Sequence, residues 1–145
     1  MFEIRDCDDD RIARVLILEY SQIKGAERCF VSLEQELADL SSYYGGGALL
    51  IGYEDDTPVA TIAIKKINDD VAEAKRLYIK PTSRGRGYAR MMLNAMLDRC
   101  RRLGFKEVKF TTNPEVMPVA YSLYKRMSFE EQDNDNGIVS MRMLL

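Results

Sequence analysis

A chain of 145 residues and 16.6 kDa is long enough for one substantial core and too short for two ordinary ones, which predicts a single domain over residues 1–145. It is 46% hydrophobic and 30% charged and has no histidine, which excludes Ser-His-Asp and Cys-His hydrolases and His-ligated zinc sites and leaves general-base work to a carboxylate, lysine, tyrosine, cysteine or relayed water. The net charge of −2 hides a division, because carboxylates outnumber basic residues sixteen to seven from Met1 to Glu73 whereas eight arginines and lysines face only Asp98 and Glu107 from Pro81 to Thr112.

In chain order, Phe2 to Arg5 reads as a first strand, and the acidic run Asp8 to Asp10 caps a helix carrying Ile12, Val15, Leu16 and Tyr20. A second helix is expected from Ser32, with Gln35 as capping-box partner and Leu33, Leu37 and Leu40 on one face, ending at the glycines 45–47. Residues 47–67 read as an antiparallel hairpin turning at Asp56-Thr57-Pro58, and Val71 to Ile79 as the next strand. After a glycine-arginine loop comes the strongest helical stripe, Ala89, Met92, Leu93, Met96, Leu97, Cys100 and Leu103, which Gly104 ends. Glu107 to Thr112 is then a strand, so this strand, helix, strand succession predicts a parallel crossover. A short helix over 119–127 presents Ala120, Leu123, Tyr124 and Met127, and residues 128–132 and 137–145 close the chain as two strands. The order predicts an α/β (α+β) fold with a mixed central sheet.

No apolar run approaches the ~20 residues of a membrane helix, and residues 1–10 carry neither a basic n-region nor an apolar h-region, so no secretory signal is expected. Cys7, Cys29 and Cys100 are odd in number and far apart, as free thiols in a reducing cytoplasm would be. One basic segment in an acidic chain argues for a local anionic ligand over general nucleic-acid binding. Arg99, Arg101 and Arg102 are read as a solvated face.

The loop Arg84-Gly85-Arg86-Gly87-Tyr88-Ala89 carries the main chemical signal. A helix N-terminus leaves backbone N–H groups unpartnered and adds partial positive charge. Gly85 and Gly87 permit positive φ and close approach of an anion, and Arg84 and Arg86 add multi-donor charge. A Walker loop requires Gly-Lys followed by Ser or Thr, which is absent, and the dinucleotide fingerprint lacks its third glycine. Arg84, Gly87 and Ala89 instead match the pattern Arg/Gln-x-x-Gly-x-Gly/Ala.

At EAKRLYIKPTSRGRGYARMML, and again at MPVAYSLYKRMSF, the sequence resembles the GNAT-type N-acetyltransferases over nearly its whole length. The resemblance implies a mixed sheet of about six to seven strands flanked by about four helices, with a V-shaped splay between the fourth and fifth strands. It implies acetyl-CoA as cosubstrate and no metal. Its pyrophosphate would lie on the N–H groups of Arg84, Gly85, Arg86, Gly87, Tyr88 and Ala89, and its pantetheine arm along the strand through Leu77, Tyr78 and Ile79, paired at Leu77 and Ile79. The Leu77 N–H would face the thioester carbonyl, and Asn113 would hydrogen-bond the arm.

Glu73, four residues before Leu77, matches the family's catalytic carboxylate; the alternative is an exposed strand residue facing Lys75 or Lys66. Tyr124 matches the tyrosine that protonates the departing thiolate, against the alternative of a core aromatic with Tyr121 as a distractor. Two departures stand out: Ser128 replaces the glycine before the motif's phenylalanine, Phe129, and Met117 replaces a common asparagine. An acidic, aromatic rim of Tyr20, Phe30, Tyr43, Tyr44, Glu27, Glu34 and Asp133 is expected to suit a cationic amine, small molecule or peptide. The reading is therefore a cytoplasmic enzyme that moves acetyl to a primary amine by direct transfer in a ternary complex, without nucleic-acid or membrane partners. A catalytically silent acetyl-CoA sensor is the alternative, and a homodimer is open.

Overall fold

The computed structural model describes residues 1–23 and 32–145. Strand β1 (Phe2–Asp6) is followed by helices α1 (Asp10–Ser21), α2 (Leu33–Ala38) and α3 (Leu40–Tyr43), and then by strands β2 (Ala48–Glu54), β3 (Thr57–Lys66) and β4 (Val71–Ile79). A 3₁₀ turn, Pro81–Ser83, leads to α4 (Tyr88–Arg102), and β5 (Glu107–Thr112), α5 (Pro118–Arg126), β6 (Glu130–Asp135) and β7 (Ile138–Leu144) complete the chain. The seven strands form one sheet in the order β1-β2-β3-β4-β5-β7-β6. Only β4 and β5 run parallel, as the crossover through α4 requires.

The sheet is apolar on both faces because β2 and β3 are apolar at nearly every position, which a two-layer cover demands. On one face Leu50, Ile62, Ile64, Ala72 and Ala74 meet Met92, Leu93 and Met96 of α4 and Leu123 and Tyr124 of α5. On the other, Ile51, Tyr53, Ala63 and Tyr78 meet Ala13, Leu16, Ile17 and Tyr20 of α1 and Leu40 of α3. Each fully buried Leu, Ile or Met contributes roughly 1.5–3 kcal/mol by leaving water. Val15 and Leu103, placed on buried stripes by periodicity, are 56% and 45% exposed. The α1 stripe runs instead through Ala13, Leu16, Ile17 and Tyr20.

The turns and caps refine the expectations. Asp9 caps α1 by accepting from the Arg11 N–H at 3.0 Å. The Ser32 capping box does not form, since Ser32 is left-handed at φ 64° and its side chain makes no capping bond. The expected single helix is broken at Asp39, whose carboxylate caps α3 by accepting from the Ser42 N–H at 3.1 Å. The first hairpin turns at Asp55-Asp56, one residue earlier than expected, with both φ values positive, and the last at Asn136-Gly137 in the same manner. β7 lies between β5 and β6, so the apolar C-terminal segment completes the sheet. Arg99 is not part of a solvated face: it pairs with Asp6 at 2.6 Å and ties α4 to β1. Burial pushes the Cys100 thiol up to about 11, as befits a core residue; Cys29 lies outside the described residues.

Candidate functional site

The site begins where two parallel strands part. β4 pairs with β5 only from Val71↔Glu107 to Glu73↔Lys109. Beyond that point β4 stays with β3 as far as Ile79↔Ala60, and β5 stays with β7 as far as Thr112↔Val139. The edges diverge and open a cleft lined by Glu73 to Leu77 on one side and Phe110 to Asn113 on the other, with Tyr20, Met117 and Tyr124 closing its ends.

The open edge is shaped by a bulge. The Val71 carbonyl faces the β3 side, where it accepts from the Ile67 N–H at 3.0 Å, and the Lys80 N–H faces the same side, donating to Val59 at 2.8 Å. Alternation over nine residues would put these groups on opposite sides, so one extra residue must intervene. It lies between the register pairs Ala63↔Lys75 and Thr61↔Tyr78, at Arg76 and Leu77, and Arg76 takes φ 61°. The phase shift leaves Leu77 and Ile79 directed away from β3, toward the cleft edge.

Side chains follow the same shift. Leu77 packs at the edge of the α4-side core, while Tyr78 is buried on the other face, stacked on Tyr20 at 5.4 Å and donating to Glu19 at 3.2 Å. Arg76 is buried with Glu36 of α2: its Nη2 donates to Glu36 Oε1 at 2.6 Å and its Nε to Oε2 at 3.0 Å. The Tyr44 hydroxyl donates to the same Oε2 at 2.6 Å. Burial pushes the Glu36 carboxyl up, but the Arg76 and Tyr44 hydrogen bonds outweigh it and hold the group below the ordinary carboxylate range.

The glycine-arginine loop leads from the end of β4 to the start of α4. Gly85 and Gly87 have φ 80° and 81°, and a Cβ on either would meet nothing within 4 Å. Glycine is therefore required here by conformation rather than by crowding inside the protein. The Gly85, Arg86 and Gly87 N–H groups have no acceptor among the described residues, and Gly87 caps α4 without a side-chain bond. The arginines differ from expectation. Arg84 Nε donates to the Ile79 carbonyl at 2.9 Å, so the side chain braces the strand end. Arg86 forms an ion pair with Glu54, to which the Tyr88 hydroxyl also donates, and the Tyr88 ring stacks on Phe2 at 3.9 Å. The side chains of Arg86 and Tyr88 are thus engaged with Glu54 and Phe2, and Ala89 is half-buried in the first turn of α4.

Glu73 is half-buried on the cleft wall, and its carboxylate has no hydrogen bond or ion pair among the described residues. Its cross-strand neighbour is Lys65, not Lys66, which pairs instead with Asp69 at 3.1 Å. Tyr124 lines the same cleft while its ring packs on Phe110 at 4.5 Å, so it is both core aromatic and cleft residue. Tyr121 turns away and donates to Glu131 at 2.7 Å. The Asn113 Oδ1 accepts from the Glu115 and Val116 N–H groups at 3.1 and 3.4 Å, which orients the carboxamide at the end of β5. The Met117 sulfur accepts from the Tyr20 hydroxyl at 3.4 Å, which joins α1 to the start of α5. Ser128 supplies the left-handed cap itself at φ 72°, with Ser128 and Phe129 N–H groups donating to Lys125 and Tyr124 carbonyls, each at 3.1 Å.

The expected acidic rim is changed in character. Tyr44 is buried against Glu36, and Glu34 and Asp133 are exposed, while Glu27 and Phe30 lie outside the described residues. The side of the cleft beside Glu73 is instead cationic. Lys75 Nζ donates to the Tyr43 hydroxyl at 3.3 Å and Lys65 Nζ lies 4.2 Å from the Tyr43 ring centre. Burial pushes the Tyr43 phenol up, and the two ammonium groups outweigh it to bring it below its ordinary value. Sequence reasoning missed Glu36, Arg76 and Lys65, and named Lys75 only as a neighbour of Glu73. The one available signal was a charged residue at position 76 inside an otherwise apolar strand end.

A family model described as acetyltransferase (GNAT) family matches residues 12–129. The chain belongs to this family. Among relatives of this acetyltransferase, an uncharacterised N-acetyltransferase of Schizosaccharomyces pombe is 28% identical over 130 residues, 87% of this chain and 77% of the relative. An acetyltransferase of Streptococcus agalactiae shares its fold at TM-score 0.81 and 18% identity, covering 99% of this chain and 98% of the other. The PaiA N-acetyltransferase of Thermoplasma acidophilum, solved with coenzyme A, matches at TM-score 0.80 and 19% identity over 100% and 99% of the two chains. YncA of Salmonella typhimurium, solved with acetyl-CoA, matches at 0.78 and 17% over 100% and 94%. Among the described residues no cluster of three or more Cys, Asp or Glu side chains is arranged to hold a metal, and no helix is long and apolar enough to cross a membrane.

Proposed function

We propose that this acetyltransferase moves an acetyl group from acetyl-CoA to a primary amine by direct transfer, with both substrates bound in the cleft between β4 and β5. The observation that carries the reading is the unpaired edge of β4, which runs from the Glu73 carboxylate past the Arg76–Leu77 bulge to the glycine loop. The residues fit a pyrophosphate: Gly85, Arg86 and Gly87 offer N–H groups without acceptors at the start of a 15-residue helix. Leu77 and Ile79 offer backbone groups to an extended pantetheine arm, as an added strand would be held. Arg84 secures that edge, and the Asn113 carboxamide is positioned to donate from the opposite wall.

Acetyl-CoA supplies the acetyl group as an activated thioester. Leu77 donates its N–H to the thioester carbonyl oxygen, where one such donor is worth roughly 10²–10³ in turnover. Glu73 accepts the proton of the attacking amine, directly or through water, and a positioned base contributes about 10²–10⁴-fold. Tyr124 delivers a proton to the sulfur. The experiment is thiol release from acetyl-CoA with a panel of small amines and peptides, alongside calorimetric binding of acetyl-CoA. Amine-dependent thiol release is expected; tight acetyl-CoA binding without release for any amine would mark a silent sensor and sink the transferase reading.

A further inference from the structure

We propose that Glu36, Arg76 and Tyr44 act as positioning residues for acetyl transfer: their buried cluster holds the β4 bulge in the conformation that turns the Leu77 N–H into the cleft. The inference rests on the role assigned to Leu77 above.

Three features converge on it. Arg76 is left-handed at φ 61° inside a strand, a region that glycine takes without strain and that other residues keep only when their surroundings over-determine them. Its guanidinium is 3% exposed and makes a two-point contact with a Glu36 side chain that is fully buried, while Tyr44 donates to the same carboxylate. A buried ion pair adds little net stability over apolar side chains of the same volume, so this arrangement is better explained by the geometry it enforces. That geometry is specific. Were the strand to alternate regularly, Arg76 would follow Ala72 and Ala74 onto the α4 face, among Met92, Leu93 and Met96. Glu36 stands on the opposite face, so the charge pair fixes which residue bulges. The residue that follows is Leu77, and both Arg76 and Leu77 line the cleft. The pairing also ties α2 to the strand that would hold the acetyl donor.

The test uses two double variants that remove both charges together, Glu36→Leu/Arg76→Met and Glu36→Leu/Arg76→Gly. Methionine fills the space but disfavours positive φ, whereas glycine takes the bulge conformation without strain and leaves a void. Thermal midpoint, the Leu77 amide resonance of ¹⁵N-leucine-labelled protein without ligand, read as its displacement from the unfolded-peptide value for the same preceding residue, and kcat and KM for acetyl-CoA are measured on each. The expected orders cross. The methionine variant is the more heat-stable, yet its Leu77 resonance moves while other leucine amides stay, and its kcat falls about 30-fold with KM within about 3-fold of wild type. The glycine variant is less stable but returns the Leu77 resonance toward wild type, with kcat within about 5-fold of it. Turnover and the Leu77 resonance that follow heat stability, or an unmoved Leu77 resonance in a folded methionine variant, overturn the proposal. Should neither double variant fold, Arg76→Lys keeps the charge and loses the fork. A moved Leu77 resonance then supports the lock, and an unmoved one overturns it. Because that resonance is read without acetyl-CoA or amine, a wild-type protein with no turnover would refute the transferase reading while the lock is still decided separately.

Discussion

The two halves of β4 use their backbone hydrogen-bonding groups in opposite ways. From Val71 to Glu73 the strand is paired on both sides, to β3 and to β5, and its alternate alanines Ala72 and Ala74 are buried against α4. Beyond the bulge at Arg76 and Leu77, which line the cleft, Tyr78 and Ile79 are paired to β3 alone. The first half is framework; the second is an unfinished sheet that an extended ligand can complete. The change is made by two local devices, the divergence of β5 after Lys109 and a single extra residue at Arg76. An open strand edge of this kind needs a withheld neighbour and a shifted phase.

Substitutions at the boundary and on the open half test this division most severely. Glu73→Gln is expected to lower kcat by roughly 10²–10³-fold while the dissociation constant for acetyl-CoA stays within about 2-fold, measured by initial rates and calorimetry; an unchanged kcat would return Glu73 to the framework half. Tyr124→Phe keeps the ring packing on Phe110 and Phe129, so the fold should hold while kcat falls about 10- to 100-fold. If acid catalysis is absent, rate and stability will both match wild type.

The glycine loop offers a matched pair. Gly87 and Gly104 have φ 81° and 90° and open space where a Cβ would stand, so Gly87→Ala and Gly104→Ala should each lose about 1 kcal/mol of stability. Only Gly87→Ala is expected to weaken acetyl-CoA binding, by about 10-fold in calorimetry; equal affinities would show that the loop does not bind pyrophosphate. The smallest effect lies away from the open edge. Ser128→Gly relieves a left-handed serine at the end of α5 and should raise stability by about 0.5–1 kcal/mol in denaturant titration with kcat unchanged.

Much of this was legible in the sequence because the signals were local. The α4 stripe, the strand before it and Gly104 follow from periodicity and helix-end chemistry, and the loop motif with its neighbours carries the family. The errors were also physical. The Ser32 capping box failed because Ser32 itself is left-handed, and the expected single helix failed because Asp39 interrupts it. Arg86 was expected to face the anion, but Glu54, distant in sequence, reaches it first. Arg76 and Glu36 are 40 residues apart, and no local pattern links them.

By itself the sequence determined the order of the strands, the helices apart from the break between α2 and α3, and the glycine positions that demand positive φ, since each depends on neighbours within a few residues; it made the α4 N-terminus a candidate anion site, and Glu73 and Tyr124 entered as candidate acid–base groups through the resemblance to the family. The tertiary structure alone decided where β5 leaves β4, which residue of β4 bulges, which loop arginine is already paired, and that Lys65 is the cross-strand neighbour of Glu73. Those outcomes depend on side chains brought together from separate strands and helices, and sequence proximity carries no record of such meetings.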